Sequence, residues 1–207
     1  MRHHRIPAET IRRLPIYLRA LLLSSGQGQK RISSQELAEL LGIYPWQIRK
    51  DFSFFGGLGK RGVGYDIGKL VKDIKKILRL DTIRKAALVG VGNLGSAILA
   101  YPGFKIYGFD IAVAFDCDPK KIGREIKGVQ IEDITNLSTL RMRKIDLGII
   151  AVPRDVAQQT ANAMVKAGVK GILNFSPCYI TVPEKIKVIT IDIAMDLARL
   201  PYYMPIK

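Results

Sequence analysis

The chain has 207 residues and a formal net charge of +15, with 48% hydrophobic and 25% charged residues. That length and composition allow a sizeable core in one or two ordinary soluble domains. Cys117 and Cys178 are the two cysteines, far apart and in no metal or redox spacing, and the two histidines, His3 and His4, lie in what reads as a solvated tail. A disulfide framework, a metal centre and histidine-based catalysis are therefore not expected. The apolar runs are too short to cross a bilayer, and no signal core follows Met1-Arg2-His3-His4-Arg5, so the expectation is a soluble cytoplasmic protein with no membrane partner.

Charge is spread unevenly. Met1 to Lys85 carries 18 Lys and Arg against 7 Asp and Glu, whereas Ala86 to Lys207 carries 15 against 11. A basic first part beside a near-balanced second suggests that the first meets a polyanion, although a merely basic soluble protein would give the same counts.

Between Glu9 and Leu22, the residues Ile11, Leu14, Leu18, Leu21 and Leu22 fall three and four apart and predict a helix, which Pro15 either continues or splits. The loop Ser24 to Gly28 ends it. Ile32 to Gly42 reads as a second helix, with capping-box spacing in Ser33 and Glu36 and with Gly42 suited to the left-handed position beyond its end. Pro45 opens a third helix running through about Phe55. Two short helices about a tight turn form a helix-turn-helix pattern. Phe55 to Tyr65 is glycine-dense and basic, as a β-hairpin wing would be. An amphipathic helix from Asp66 to about Leu80 follows, and Asp81-Thr82 marks a boundary.

Beyond it, short apolar runs alternate with helical segments. Ala86–Val89, Ile111–Phe115, Val129–Ile131, Ile145–Val152, Gly171–Phe175 and Val188–Ile191 read as strands, with helices at Asn93–Ala100 and Asp155–Lys166. This alternation implies a mostly parallel sheet covered on both faces. The final helix, Asp192 to about Leu200, stands apart from it. The predicted fold is α/β: a winged helix-turn-helix domain over 1–82, a Rossmann-like doubly wound parallel sheet over 83–191, and a helix with its tail over 192–207.

Gly90-Val91-Gly92-Asn93-Leu94-Gly95 is a G-x-G-x-x-G that follows a strand and opens a helix. The three glycines would allow a tight turn, close approach of a pyrophosphate and close helix–strand packing, and the helix N-terminus would supply free N–H groups to phosphate. Asp116 ends the next strand where a ribose-binding acid belongs. A carboxylate there accepts hydrogen bonds from both ribose hydroxyls and repels a 2′-phosphate, which favours NAD(H) over NADP(H). Asp118 is the alternative, though its place before Pro119 suits a turn, and Lys120 and Lys121 leave phosphate discrimination open. Val152, Pro153, Ser176 and Pro177, at later strand ends, are candidate pocket walls or ordinary turns.

An enzyme reading has little to rest on. Tyr101 and Lys105 have Tyr-x-x-x-Lys spacing, but Pro102-Gly103 between them forbids a regular helix, and Cys178 has no histidine to activate it. On the helix from Pro45, Ile48, Phe52 and Phe55 form the buried face. Trp46, Lys50, Ser53 and Phe54 point away, with Gln47 and Arg49 on the flanks. Gln47, Arg49, Lys50 and Ser53 could meet phosphates or base edges in a major groove, with Lys60 and Arg61 reaching DNA from the wing. A solvated basic helix with no partner is the bland alternative.

The segments Arg13 to Arg19, Arg49 to Gly56, Gly59 to Tyr65, Gly90 to Gly95, Phe115 to Pro119 and Asn174 to Pro177 together resemble the Rex redox-sensing transcriptional repressors. The resemblance covers nearly the whole chain. It implies a homodimer with exchanged C-terminal helices, binding to an inverted-repeat operator, release from DNA by NADH, and competition by NAD+ without release. It also matches Arg19, Tyr101 and Asp192 to positions linked to the switch, where the aspartate changes partner between the tyrosine and the arginine. Trp46, beside the recognition residues, departs from the family pattern. The rivals are an NAD-dependent oxidoreductase with a basic localising domain and a nucleoid-associated protein that uses NAD structurally.

Overall fold

The computed structural model describes residues 6–55, 59–60, 63–198 and 200–204, with the backbone alone at 59, 60 and 196. The chain divides into two compact units, Met1–Thr82 and Ile83–Lys207.

The first unit opens with α1 (Ala8–Gly26), which contains Pro15 without being split by it. Pro15 is exposed, so solvent can satisfy the carbonyl that its missing N–H leaves unbonded. The helix also runs past the expected loop at Ser24. After β1 (Arg31–Ile32) comes α2 (Ser34–Leu41), capped by the reciprocal Ser33–Glu36 box and ended by Gly42 in the left-handed region. Next are α3 (Pro45–Ser53), with proline in its first turn, then β2 (Gly59–Lys60), β3 (Gly64–Asp66) and α4 (Ile67–Ile77), whose N-cap Asp66 accepts the Lys69 N–H. The wing is a three-stranded antiparallel sheet in the order β1-β3-β2. Its third strand, β1, takes Ile32, which the sequence pattern assigns to the start of the second helix. Leu14, Leu18 and Leu21 of α1 join Leu37, Ile48, Phe52, Leu70 and Ile74 in one buried core.

The second unit runs β4 (Arg84–Val89), α5 (Asn93–Ala100), α6 (Gly103–Ile106), β5 (Phe109–Asp116), β6 (Glu125–Ile126) and β7 (Val129–Asp133). A 3₁₀ segment, Ile134–Leu140, precedes β8 (Leu147–Ile150), α7 (Arg154–Lys166), β9 (Gly171–Asn174), β10 (Lys187–Thr190) and α8 (Ile193–Leu197). The sheet order is β10-β9-β8-β4-β5-β7-β6, parallel throughout except for the β6–β7 pair. From β4 the chain winds outward through β5 and β7, then crosses to β8, β9 and β10. This is the doubly wound order of dinucleotide-binding domains, with its crevice between β4 and β8. Along β4, Ala86 and Leu88 enter the core on one face and Ala87 and Val89 the core on the other. The final helix is shorter than its expected span, and Leu200–Tyr203 forms a 3₁₀ turn instead.

Two glycines set the join between β4 and α5. Gly90 has φ +93°, and a Cβ there would lie 2.4 Å from the Ala151 carbonyl oxygen; a Cβ on Gly95 would lie 2.0 Å from the Gly90 carbonyl oxygen. Backbone cannot yield as a flexible side chain would. Replacing Gly95 by Ala should therefore destabilise the second unit by about 1–3 kcal/mol, the usual cost of overpacking. The check is a thermal or denaturant unfolding curve against the wild type.

Candidate functional site

A cleft of about 1060 Å³ opens at the carboxyl ends of β4, β5 and β8. Of the candidate cofactor residues, Gly90, Gly92, Asp116, Val152 and Pro153 line it. Val91 is buried behind them, and Gly95 packs beneath the turn. Asn93 and Leu94 are exposed on the first turn of α5. Ser176 is buried and does not line the cleft; its hydroxyl donates to the Val152 carbonyl at 2.6 Å, tying together the loops after β8 and β9. Pro177 is exposed and also outside the lining.

Asp116 is nearly buried at the edge of the cleft. Its Oδ2 accepts the Val91 N–H at 2.7 Å and Lys121 Nζ at 3.2 Å, while Oδ1 accepts the Asp118 N–H at 2.9 Å. Burial alone would raise this carboxyl, but the backbone bonds from Asp118 and Val91 and the Lys121 ammonium outweigh it and hold the group below the usual carboxylate range. Asp118 makes the expected turn, accepting the Lys120 N–H.

The arrangement suits a dinucleotide. A Cβ added at Gly92 would meet nothing within 4 Å, so the chain is open on the cleft at the start of α5, and a pyrophosphate approaching there would meet a helix N-terminus. Ile134 and Leu137 of the 3₁₀ segment and Val156 and Ala163 of α7 also line the cleft, as do the polar Gln159, Arg141 and Lys166. Apolar walls with a few polar groups fit a planar heterocycle. Sequence reasoning passed over Lys121 as a partner of Asp116 and did not foresee these lining residues.

Tyr101 caps the C-terminus of α5 and Lys105 lies in α6, so the pair with dehydrogenase-like spacing occupies two elements. Tyr101 is exposed, with its ring edge-to-face on Phe104 at 5.7 Å. Asp192 is half-buried and accepts the Ala194 N–H through Oδ1 at 3.1 Å, at the entry to α8. Arg19 is exposed on α1.

In the first unit, Ile48 and Phe52 are buried and Phe55 partly so, whereas Trp46, Arg49, Lys50 and Ser53 are exposed on α3. Trp46 stacks on exposed Tyr44 at 6.2 Å. Arg49 donates to Ser34 Oγ at 3.1 Å, and Ser53 to the Lys50 carbonyl at 2.7 Å. Gln47 is half-buried and spends its Nε2 on Asp51 at 3.0 Å. Asp51 is a fully buried carboxylate that sequence reasoning missed. Its signal was available: it stands one turn after Ile48, beside Phe55 on the helix wheel, at the edge of the buried face. In the wing, Lys60 is in β2, and Arg61 lies outside the described residues.

Two family models match the chain: the CoA binding domain over residues 81–178 and the putative DNA-binding protein N-terminus over residues 5–53. The redox-sensing transcriptional repressor Rex of Lactobacillus gasseri is 43% identical over 201 residues, covering 97% of this chain and 94% of that protein. The Rex of Halalkalibacterium halodurans is 44% identical over 200 residues, covering 97% and 95%. The chain belongs to the Rex family of redox-sensing transcriptional repressors. The crystal structure of RSP, a Rex-family repressor, superposes with a TM-score of 0.86 at 37% identity, over 96% of this chain and 93% of that one. RSP in complex with β-NAD+ and operator DNA gives a TM-score of 0.88 at 38% identity, over 96% and 92%, and its β-NADH complex gives 0.87 at 36%, over 96% and 94%. The winged helix-turn-helix and Rossmann-like fold expected from the sequence is thus the fold of the Rex family.

The Asp116 geometry has a consequence for stability in this Rex-family chain. Its folded carboxyl sits below its unfolded value, so the stabilisation is present above the ordinary pKa of about 3.9 and fades as pH falls through the lower folded value. The stability gap between wild type and Asp116→Asn should be full near about pH 6 and shrink steadily below about pH 4. Denaturant unfolding of both proteins across that range measures it; a gap independent of pH would contradict the assignment.

Proposed function

We propose that this chain is a transcriptional repressor that binds an inverted-repeat operator as a homodimer when NADH is low and leaves it when NADH is held. What carries the reading is a single pairing within a Rex-family chain: a glycine-turned cleft edged by Asp116 in one unit, and an exposed basic helix with a wing in the other.

In this reading Gly90, Gly92 and Gly95 shape the pyrophosphate turn, with Val91, Asn93 and Leu94 carrying the backbone around it. Asp116 takes the adenosine ribose. Val152 and Pro153 bound the cleft toward the nicotinamide side, and Ser176 and Pro177 support that wall. The oxidised nicotinamide ring carries a positive charge and the reduced ring does not, so an apolar pocket accepts the reduced form more readily. Gln47, Arg49, Lys50 and Ser53 of α3 meet the major groove, while Lys60 and Arg61 of the wing reach backbone or minor groove. Arg19, Tyr101 and Asp192 form the switch, and the chain from Asp192 onward is the element exchanged between protomers. RSP, captured with operator DNA and β-NAD+ and separately with β-NADH, supports both halves. No described helix is long and apolar enough to cross a membrane, and the proposed site of action is the cytoplasm.

Binding of NADH must then change the spacing of two recognition helices that match half-sites one helical turn apart. Moving such an equilibrium from almost all bound to almost all free needs about 5.5 kcal/mol of discrimination between the two states. A mobility-shift titration with an inverted-repeat operator tests this. NADH should weaken the complex and NAD+ should not. Identical behaviour with both nucleotides would sink the redox-sensor reading. Replacing Gly92 by Ala should leave folding within about 0.5 kcal/mol, since its Cβ meets nothing, yet abolish the NADH response by filling the phosphate approach.

A further inference from the structure

The expected DNA-contact set does not account for Asp51. This carboxylate is fully buried on α3, between exposed Lys50 and buried Phe52. It accepts five hydrogen bonds. Oδ2 takes Arg13 Nε and Tyr17 Oη, each at 2.6 Å; Oδ1 takes Arg13 Nη2 at 2.8 Å, Thr10 Oγ1 at 2.9 Å and Gln47 Nε2 at 3.0 Å. Thr10, Arg13 and Tyr17 stand three and four apart, so they share one face of α1. Gln47 is one turn before Asp51 on α3 itself.

Attachment of α3 to α1 does not need a charge. Ile48 and Phe52 already pack with Leu14 and Leu18 in the core, and apolar residues hold a buried site at least as well as an ion pair does. What the carboxylate adds is direction. A bidentate grip fixes the plane of the Arg13 guanidinium. Two of its five N–H donors face Asp51, and a quarter of the side chain remains exposed. Gln47 is fixed through its amide nitrogen, which leaves its amide oxygen as the end not held by Asp51. The cluster reaches solvent through part-exposed Arg13 and half-buried Gln47, on the flank of α3 next to exposed Lys50, whereas Arg49 lies on the other flank, bonded to Ser34.

We propose that Asp51 is a positioning residue that presents Arg13 and Gln47 to DNA, and that Arg13 is a further contact to a backbone phosphate beside α3. The proposal rests on the operator-binding reading above. DNA-binding domains hold the duplex backbone with residues flanking the recognition helix as well as on it, and α1, which lies outside the α2–α3 pair, brings Arg13 next to α3 through its two bonds to Asp51. Because the fold already orders the guanidinium, less rotamer freedom is lost when it docks.

The test uses the full chain and a set of operators in which one phosphate at a time is replaced by an uncharged methylphosphonate. Wild type should lose about tenfold in affinity at each contacted phosphate, the scale of a hydrogen bond to a charged group. Arg13→Gln should abolish that loss at one phosphate per half-site and keep it at the others. Such a cycle isolates the pairwise contact from any general weakening. Arg13→Lys keeps a charge but cannot grip Asp51 with a fork, and should show a reduced loss at the same phosphate. Asp51→Asn should do likewise and should also blunt base preference opposite Gln47. A purely structural role would lower affinity on every operator and leave the phosphate profile as in wild type, which would overturn the proposal. Should Arg13→Gln unfold in a thermal melt, Arg13→Lys and Asp51→Asn still decide it. Failure of wild type to bind any inverted repeat would instead overturn the operator reading, and this one with it.

Discussion

The nucleotide-binding unit depends on one close contact, Gly95 against the carbonyl of Gly90. With no Cβ on Gly95, α5 starts directly on the end of β4, and its N-terminus faces the crevice where the strand order reverses. The positive φ of Gly90 turns the chain within a space already bounded by the Ala151 carbonyl at the end of β8. The same turn aims the Val91 N–H at Asp116, 25 residues on, so the acid that should read ribose also braces the glycine loop. The site and the join between β4 and α5 are therefore one piece of geometry. A change that loosens the turn moves Asp116, and a change at Asp116 leaves a buried N–H to be satisfied elsewhere.

The DNA-binding unit reaches rigidity by a different route. Its core around Leu14, Leu18, Ile48 and Phe52 is apolar, yet a single carboxylate is set into the edge of that core. Burial by itself raises the Asp51 carboxyl, but the bonds from Arg13, Tyr17 and Thr10 outweigh it and keep it ionised below the usual range. The same network raises Tyr17, through burial first and then the nearby carboxylate, so its hydroxyl stays a donor. Removing one member would strand the others in a low-dielectric setting, which makes the network costly to break in part. Apolar packing sets how firmly α3 sits. The polar set governs which way its neighbours point.

Much of this was legible in the sequence because it was local. The capping box at Ser33 and Glu36, Gly42 in its left-handed position, Pro45 opening α3 and the spacing from Gly90 to Asp116 each depend on a few residues and appear as read. Features built from distant parts were not. Asp51 meets partners 34 to 41 residues away on α1, and nothing around it betrays them. The strands β1 and β6 have two residues each, too short for any alternation to register. Lys121 stood in the sequence as a doubt about the cofactor, since its charge was visible and its partners were not. Pro15 left the first helix open between continuing and splitting; the helix continues, because its exposed face lets a proline stand inside it.

Lys121 also bears on which cofactor the cleft prefers. A free ammonium beside the proposed ribose site would attract a 2′-phosphate. Here it lies 3.2 Å from Asp116 and 3.8 Å from Asp118, between two carboxylates. Held by two carboxylates, Lys121 is not free to pair with a 2′-phosphate, and the two acids themselves oppose such a group. A ribose diol donates hydrogen bonds and meets no such barrier. Asp116 has about four lone-pair directions, and Val91, Asp118 and Lys121 occupy three of them. The direction left belongs to Oδ1, the oxygen that takes the single bond from Asp118. One hydroxyl can be received there without displacing any internal bond, and a second by competing with Lys121. The lysine thus tempers the acid without reversing its preference, and NAD(H) remains the better match to this corner than its 2′-phosphorylated counterpart.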